Sequence, residues 1–133
     1  MTSEEIRRRV RVKLQEQREL VETLLREREQ LQGSLFARWA VCGKEGCACR
    51  GGRKHGPYHV LSTRSGGKGG FAYLEDSQAA QARELVKRHR AFRNGMRRLG
   101  RVNEEVVALL RRYQAAMARQ GRRRVGVALP STG

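Results

Sequence analysis

Cys42, Cys47, Cys49 and His55 fall within fourteen residues, at the spacing C-x4-C-x-C-x5-H. Three thiols and an imidazole this close form the donor set of a borderline cation, and tetrahedral Zn²⁺ suits it best. Gly43, Gly46, Gly51 and Gly52 lie between the donors and supply the backbone freedom a tight chelate loop needs. Three thiolates on a dication leave net negative charge, and Lys44, Arg50, Arg53 and Lys54 stand nearby to offset it. His59 is an alternative to His55 as the fourth ligand. An odd set of three cysteines does not make a disulfide framework, and the C-x-x-C spacing of a thiol redox site is absent. A catalytic metal would need an open coordination position and a nearby base, yet Glu45 is the only acid in the knuckle. The expected cofactor is therefore structural Zn²⁺ held by Cys42, Cys47, Cys49 and His55.

Around these ligands the sequence resembles a family of short uncharacterised prokaryotic proteins. The likeness is carried by Cys42-Gly43-Lys44-x-x-Cys47-x-Cys49, by His55-Gly56-Pro57-Tyr58 with Leu61-Ser62, and by Gly33-Ser34-Leu35 and Arg38. It covers roughly residues 30–110. The resemblance implies a shared fold with the cysteine core between two charged helices, a shared metal site, and genes that sometimes lie near mobile elements. It implies no activity. The family's strand is richer in aromatics where this chain has His59 and Val60.

Charge is the second chemical signal. The 133 residues hold 29 Lys and Arg against 13 Asp and Glu, a net +16, which predicts an acidic partner such as DNA or RNA. The surplus is uneven. Residues 1–32 carry eight basic and seven acidic residues, 33–75 seven and two, and 76–133 fourteen and four. Arg83, Lys87, Arg90, Arg97 and Arg101 recur at helical spacing, flanked by Arg88, Arg93 and Arg98, and are the expected grip on a phosphate backbone. Arg50, Arg53, Lys54, Arg64 and Lys68 extend that footprint around the knuckle. Tyr58, Phe71 and Tyr73 could stack on bases, but for so thin a core they are expected to pack onto the helices instead.

Three elements must position these groups. Residues 1–32 predict one helix: no Gly or Pro interrupts them, Thr2 and Glu5 match a capping box, and Ile6, Val10, Leu14, Gln17, Val21, Leu24 and Leu31 form a stripe. Residues 33–75 predict two or three short antiparallel strands. Leu35, Ala37, Trp39 and Val41 alternate, as do Tyr58 and Val60, and Phe71 and Tyr73, with the glycine-rich run 63–70 as a hairpin turn. That run lacks the G-x-x-x-x-G-K-[ST] order of a phosphate loop. Residues 76–121 predict a long helix with Asp76 or Ser77 as N-cap. On it Leu85, Phe92, Leu99, Val106 and Tyr113 stand seven apart, and His89, Met96, Asn103, Leu110 and Met117 form a second series offset by four. Together they read as a heptad seam, with Asn103 at a position that fixes register. Gly95 and Gly100 invite a kink, and 122–133 reads as a basic disordered tail.

The expected fold class is α+β, mostly α: a single domain over 1–121, with two long helices in an antiparallel coiled-coil-like hairpin and a small zinc-stapled antiparallel sheet at its tip. The longer second helix then needs a further partner, either a second copy (a homodimer) or another coiled coil. The expected function is non-enzymatic nucleic-acid binding. The alternative is an accessory subunit of a mobile-element or other nucleic-acid enzyme, joined through the seam. No carboxylate pair, nucleophile elbow or His-x-Glu deaminase signature is present, and no small-molecule substrate is evident. No apolar run approaches the roughly 20 residues of a membrane span, and the first residues lack a signal peptide's apolar stretch, so a cytoplasmic protein is expected.

Overall fold

Two helices bracket a three-stranded sheet in chain order: α1 (Ser3–Leu24), β1 (Ser34–Ala40), β2 (His55–Ser65), β3 (Lys68–Leu74) and α2 (Asp76–Val125). The structure is a computed structural model that describes residues 1–65 and 67–128. Gly66 of the glycine turn and 129–133 of the basic tail lie outside the described residues. No helix among these is long and apolar enough to cross a membrane.

α1 begins as its sequence dictates. The Thr2 hydroxyl accepts from the Glu5 amide at 3.1 Å, and the Glu5 carboxylate accepts from the Thr2 amide at 3.0 Å, closing the capping box. The helix ends at Leu24, well short of residue 32. Residues 26–32 favour helix by composition, but tertiary bonds draw the segment out of it: the Leu31 amide donates to the Leu85 carbonyl at 3.1 Å, and the Thr63 hydroxyl donates to the Gln32 carbonyl at 2.7 Å. Propensity is a weak prior against such contacts.

α2 runs through Gly95 and Gly100 without a break and includes residues 122–125. With 50 residues against 22, it exceeds α1 by about 40 Å at 1.5 Å per residue. The helical hairpin with a sheet at its tip is therefore not the fold: α1 is short, and the sheet lies between the helices in the chain and forms its own compact unit with the start of α2.

Two compact units result: residues 27–93, and Met1–Arg26 with α2 from Asn94 onward. In the helical unit Ile6, Val102 and Ala116 are buried. Gln17 donates to Asn103 at 2.7 Å, and Arg98 reaches Glu16 at 2.6 Å. Gly95 explains itself here, because a Cβ on it would come within 2.7 Å of Leu24 Cδ2. It permits close approach of the helices rather than a kink. The buried stripe of α2 keeps the predicted series of Leu99, Val106 and Tyr113, all half-buried, but joins it to Val102, Leu109 and Ala116. Met96, Asn103 and Leu110 of the predicted second series are exposed. The true offset is three, not four.

In the other unit the sheet has the order β1-β2-β3, all antiparallel, with Phe36 opposite Val60 and Val60 opposite Tyr73. The face bearing His59 and Leu61 turns toward the start of α2. There His59 meets Asp76 at 2.9 Å, and Ala79, Ala82 and Val86 are buried. Asp76 is thus the first helical residue and not the cap; the Glu75 carbonyl accepts from Ala79 at 2.8 Å.

Candidate metal centre

The connection from β1 to β2 builds the centre. Ala40 pairs with His55, so the end of one strand and the start of the next bring Cys42 and His55 together. A single 3-10 turn, Ala48–Gly51, then carries Cys49 inward, with Cys47 immediately before it. Two of the four glycines serve as anticipated: Gly46 and Gly52 take φ of 76° and 116°, where other residues are strained, whereas Gly43 and Gly51 do not take a positive φ.

Donor atoms of Cys42, Cys47, Cys49 and His55 all lie within 4.8 Å of one another. Cys42 Sγ is 3.5 Å from Cys49 Sγ, and Cys47 Sγ is 3.3 Å from His55 Nε2. Cys49 is 3% exposed and its sulfur also accepts from the Cys42 amide at 3.4 Å. The Cys49 backbone amide, and then the neighbouring thiols and the His55 ring, hold the Cys47 thiol down to about 6. Burial pushes the Cys49 thiol up. A metal ion held here would take Cys42, Cys47 and Cys49 as thiolates and the His55 ring as its fourth donor. The four residues are close enough to hold a metal ion. His59 is not among them, since its ring engages Asp76.

A family model described as "Domain of unknown function (DUF6788)" matches residues 4–84, which take in α1, the whole sheet, the metal centre and the start of α2. The chain belongs to this family. No curated protein and no solved structure matches it. The DUF6788 match includes the cysteine core on which the sequence resemblance rested.

The basic residues singled out by sequence, Arg50, Arg53, Lys54, Arg64, Lys68, Arg83, Lys87, Arg90, Arg97 and Arg101, are all exposed. Among the described residues none of these ten pairs with a carboxylate. Arg98 and Arg88 differ: Arg98 is bound to Glu16, and Arg88 lies 3.8 Å from Glu84. Along the helix, Arg83, Lys87, Arg90, Arg97 and Arg101 fall within an arc of roughly 80° at 100° per residue. Of the proposed seam, Leu85, His89, Phe92 and Met117 are half-buried. Asn103, expected to fix register with a partner, meets Gln17 instead.

The aromatics differ from the expectation for Tyr58, Phe71 and Tyr73, and Phe36 was not anticipated at all. Phe36, Tyr58, Phe71 and Tyr73 are 43%, 43%, 71% and 60% exposed, so they do not pack onto the helices. The alternation of Leu35, Ala37 and Trp39 hid Phe36, which belongs to the opposite face. The signal that finds it is the pairing register, which sets Phe36, Val60 and Tyr73 in one row.

Proposed function

We propose that this protein is a zinc-stapled nucleic-acid-binding protein that grips the phosphate backbone. The observation that carries the reading is the set of ten exposed basic side chains without a carboxylate partner among the described residues. An unpaired cation keeps its full attraction for phosphate, and each contact releases a counterion from the polyanion. Zinc is supported by the donor chemistry and the spacing: a tetrahedral ion with bonds of about 2.3 Å sets its sulfurs about 3.8 Å apart, near the separations here. Four protein ligands complete that geometry, so the metal's role is to hold the knuckle and to anchor the loop bearing Arg50, Arg53 and Lys54.

The test is affinity for a labelled oligonucleotide at two salt concentrations. Binding that weakens steeply with salt is expected, and absence of binding at low salt overturns the reading. Metal analysis of protein purified without added metal tests the staple. One zinc per chain is expected; none, with unchanged melting in chelator, rejects it.

A second reading, a protein-interaction subunit, draws on Met96, Val107 and Leu110, which stand 48%, 45% and 48% exposed on α2. Sedimentation of the purified chain separates the two, because a strict monomer without an α2-dependent partner removes this one.

A further inference from the structure

We propose that the open face of the sheet is a stacking platform for unpaired bases, so that the preferred ligand is single-stranded DNA or RNA. This deepens the nucleic-acid reading above and rests on it.

One face of the sheet meets the start of α2 where His59 contacts Asp76 at 2.9 Å. The other carries Phe36 and Arg38 from β1, Tyr58, Val60 and Arg64 from β2, and Phe71 and Tyr73 from β3, as strand alternation and the register require. Val60 is 2% exposed, flanked in register by Phe36 and Tyr73, while the four rings themselves stay open. Four exposed aromatics on one three-stranded face exceed what shielding one valine needs.

The rings are also held in place. Phe36 and Phe71 meet edge to face, centroids 6.2 Å apart and planes at 88°; Tyr58 and Tyr73 do the same at 6.4 Å and 86°. An edge-to-face pair uses one ring face and leaves others available. Arg38 donates to the Tyr73 hydroxyl at 2.8 Å, which fixes a guanidinium at the margin of the platform.

Charge decides the occupant. From Ser34 to Leu74 the chain holds seven basic residues and a single acid, Glu45, and the platform face itself carries Arg38 and Arg64 with no acid, Lys68 falling on the opposite face. A cationic margin around open rings suits a polyanion whose bases are free to stack. A duplex offers its phosphates but keeps its base faces inside, so the rings can act only on an unpaired strand.

The experiment compares a fluorescein-labelled oligothymidylate of roughly 20 nucleotides, enough for a typical single-strand site, with a blunt duplex of the same length. Wild-type protein, Phe71→Ala, Tyr73→Ala and Phe71→Trp are titrated at fixed salt, with circular dichroism and metal content confirming each fold. Tighter binding of the single strand by wild type is expected, with a loss of about fivefold to a hundredfold in each alanine variant. Duplex affinity stays constant, and Phe71→Trp retains single-strand binding. If wild type binds both ligands alike and Phe71→Ala and Tyr73→Ala change neither, the platform is refuted while backbone binding stands. If wild type binds neither at low salt, both readings fall. If the alanine variants lose self-association or vesicle binding instead of oligonucleotide binding, the face serves a second copy or a membrane and the inference is overturned.

Discussion

The two compact units differ in where their ion pairs lie. In the helical unit pairs link the two helices, Lys13 lying 2.5 Å from Glu105 and Arg98 2.6 Å from Glu16, although Arg97 and Arg101 there have no carboxylate partner among the described residues. Around the knuckle and sheet, Arg50, Arg53, Lys54, Arg64 and Lys68 are exposed and, among the described residues, have no carboxylate partner. A net charge of +16 does not say which cations are available. Pairing does. The means of cohesion differ as well. One unit buries a helical stripe, whereas the other buries only Val60, Leu61, Ala79, Ala82 and Val86, with Cys49 of the candidate metal centre.

Metal removal breaks this comparison most sharply. Structural zinc of this donor type is worth on the order of 10 kcal/mol, more than so small a sheet can replace. Chelation, or Cys49→Ser, is expected to unfold residues 27–93 while much of the helical signal persists. Trp39 is the only tryptophan and lies in that unit, so its emission reports the sheet separately from far-ultraviolet circular dichroism. Unchanged Trp39 emission in chelator would show that the sheet stands without a staple.

Gly56 is the next most sensitive point. Its φ is +141°, and a Cβ there would lie 2.7 Å from the Arg38 carbonyl oxygen and 3.1 Å from the Trp39 ring. Gly56→Ala is expected to cost roughly 2 kcal/mol or more and to weaken metal binding through the adjacent His55. Gly43→Ala, where a Cβ meets nothing within 4 Å, is the control and should melt like wild type.

What the sequence disclosed follows from how local each signal is. The cluster of Cys42, Cys47, Cys49 and His55 and the capping box at Thr2 and Glu5 are each drawn from short stretches of chain, and both were legible. The end of α1 was not, because the bonds from Leu31 to Leu85 and from Thr63 to Gln32 join distant segments. The α2 seam was half legible. Spacing alone finds Leu99, Val106 and Tyr113, but choosing between Val102 and Asn103 as their companions needs the facing helix. Of the aromatic face, Tyr58, Phe71 and Tyr73 were legible, but their exposure and the place of Phe36 beside them were not, because these need three strands in register and the pattern read from Leu35, Ala37 and Trp39 pointed to the other side.

The corrected seam gives a smaller effect. Val102 is 3% exposed and Leu110 is 48% exposed. Val102→Ala should lower stability by about 1–3 kcal/mol in denaturant titration, and Leu110→Ala by less than about 0.5 kcal/mol. The reverse order would restore the offset of four and place the interface where Asn103 lies.

Smallest of all is the contribution of the ion pairs that set the helical unit apart. The Arg98 guanidinium, and then Lys13, hold the Glu16 carboxyl below its ordinary 4.5. A carboxyl with a depressed folded value adds stability above its unfolded value, and that stability is lost as pH falls through the folded one. Lys13 runs the other way: Glu105, and then Glu16, raise it above 10.5, so its contribution holds below that value and fades as pH climbs through the raised one. Near neutrality both are present. Glu16→Gln is therefore expected to flatten the acid limb of the stability profile below 4.5 and leave the alkaline limb largely intact. Both side chains meet solvent, so salt should shrink the difference. Arg98→Gln should flatten the acid limb in part, since Lys13 still faces Glu16, and in the double variant it should add little to Glu16→Gln, because its carboxylate partner is already gone. An acid limb that keeps its slope in Glu16→Gln would mean that the helical unit holds together by its apolar stripe alone.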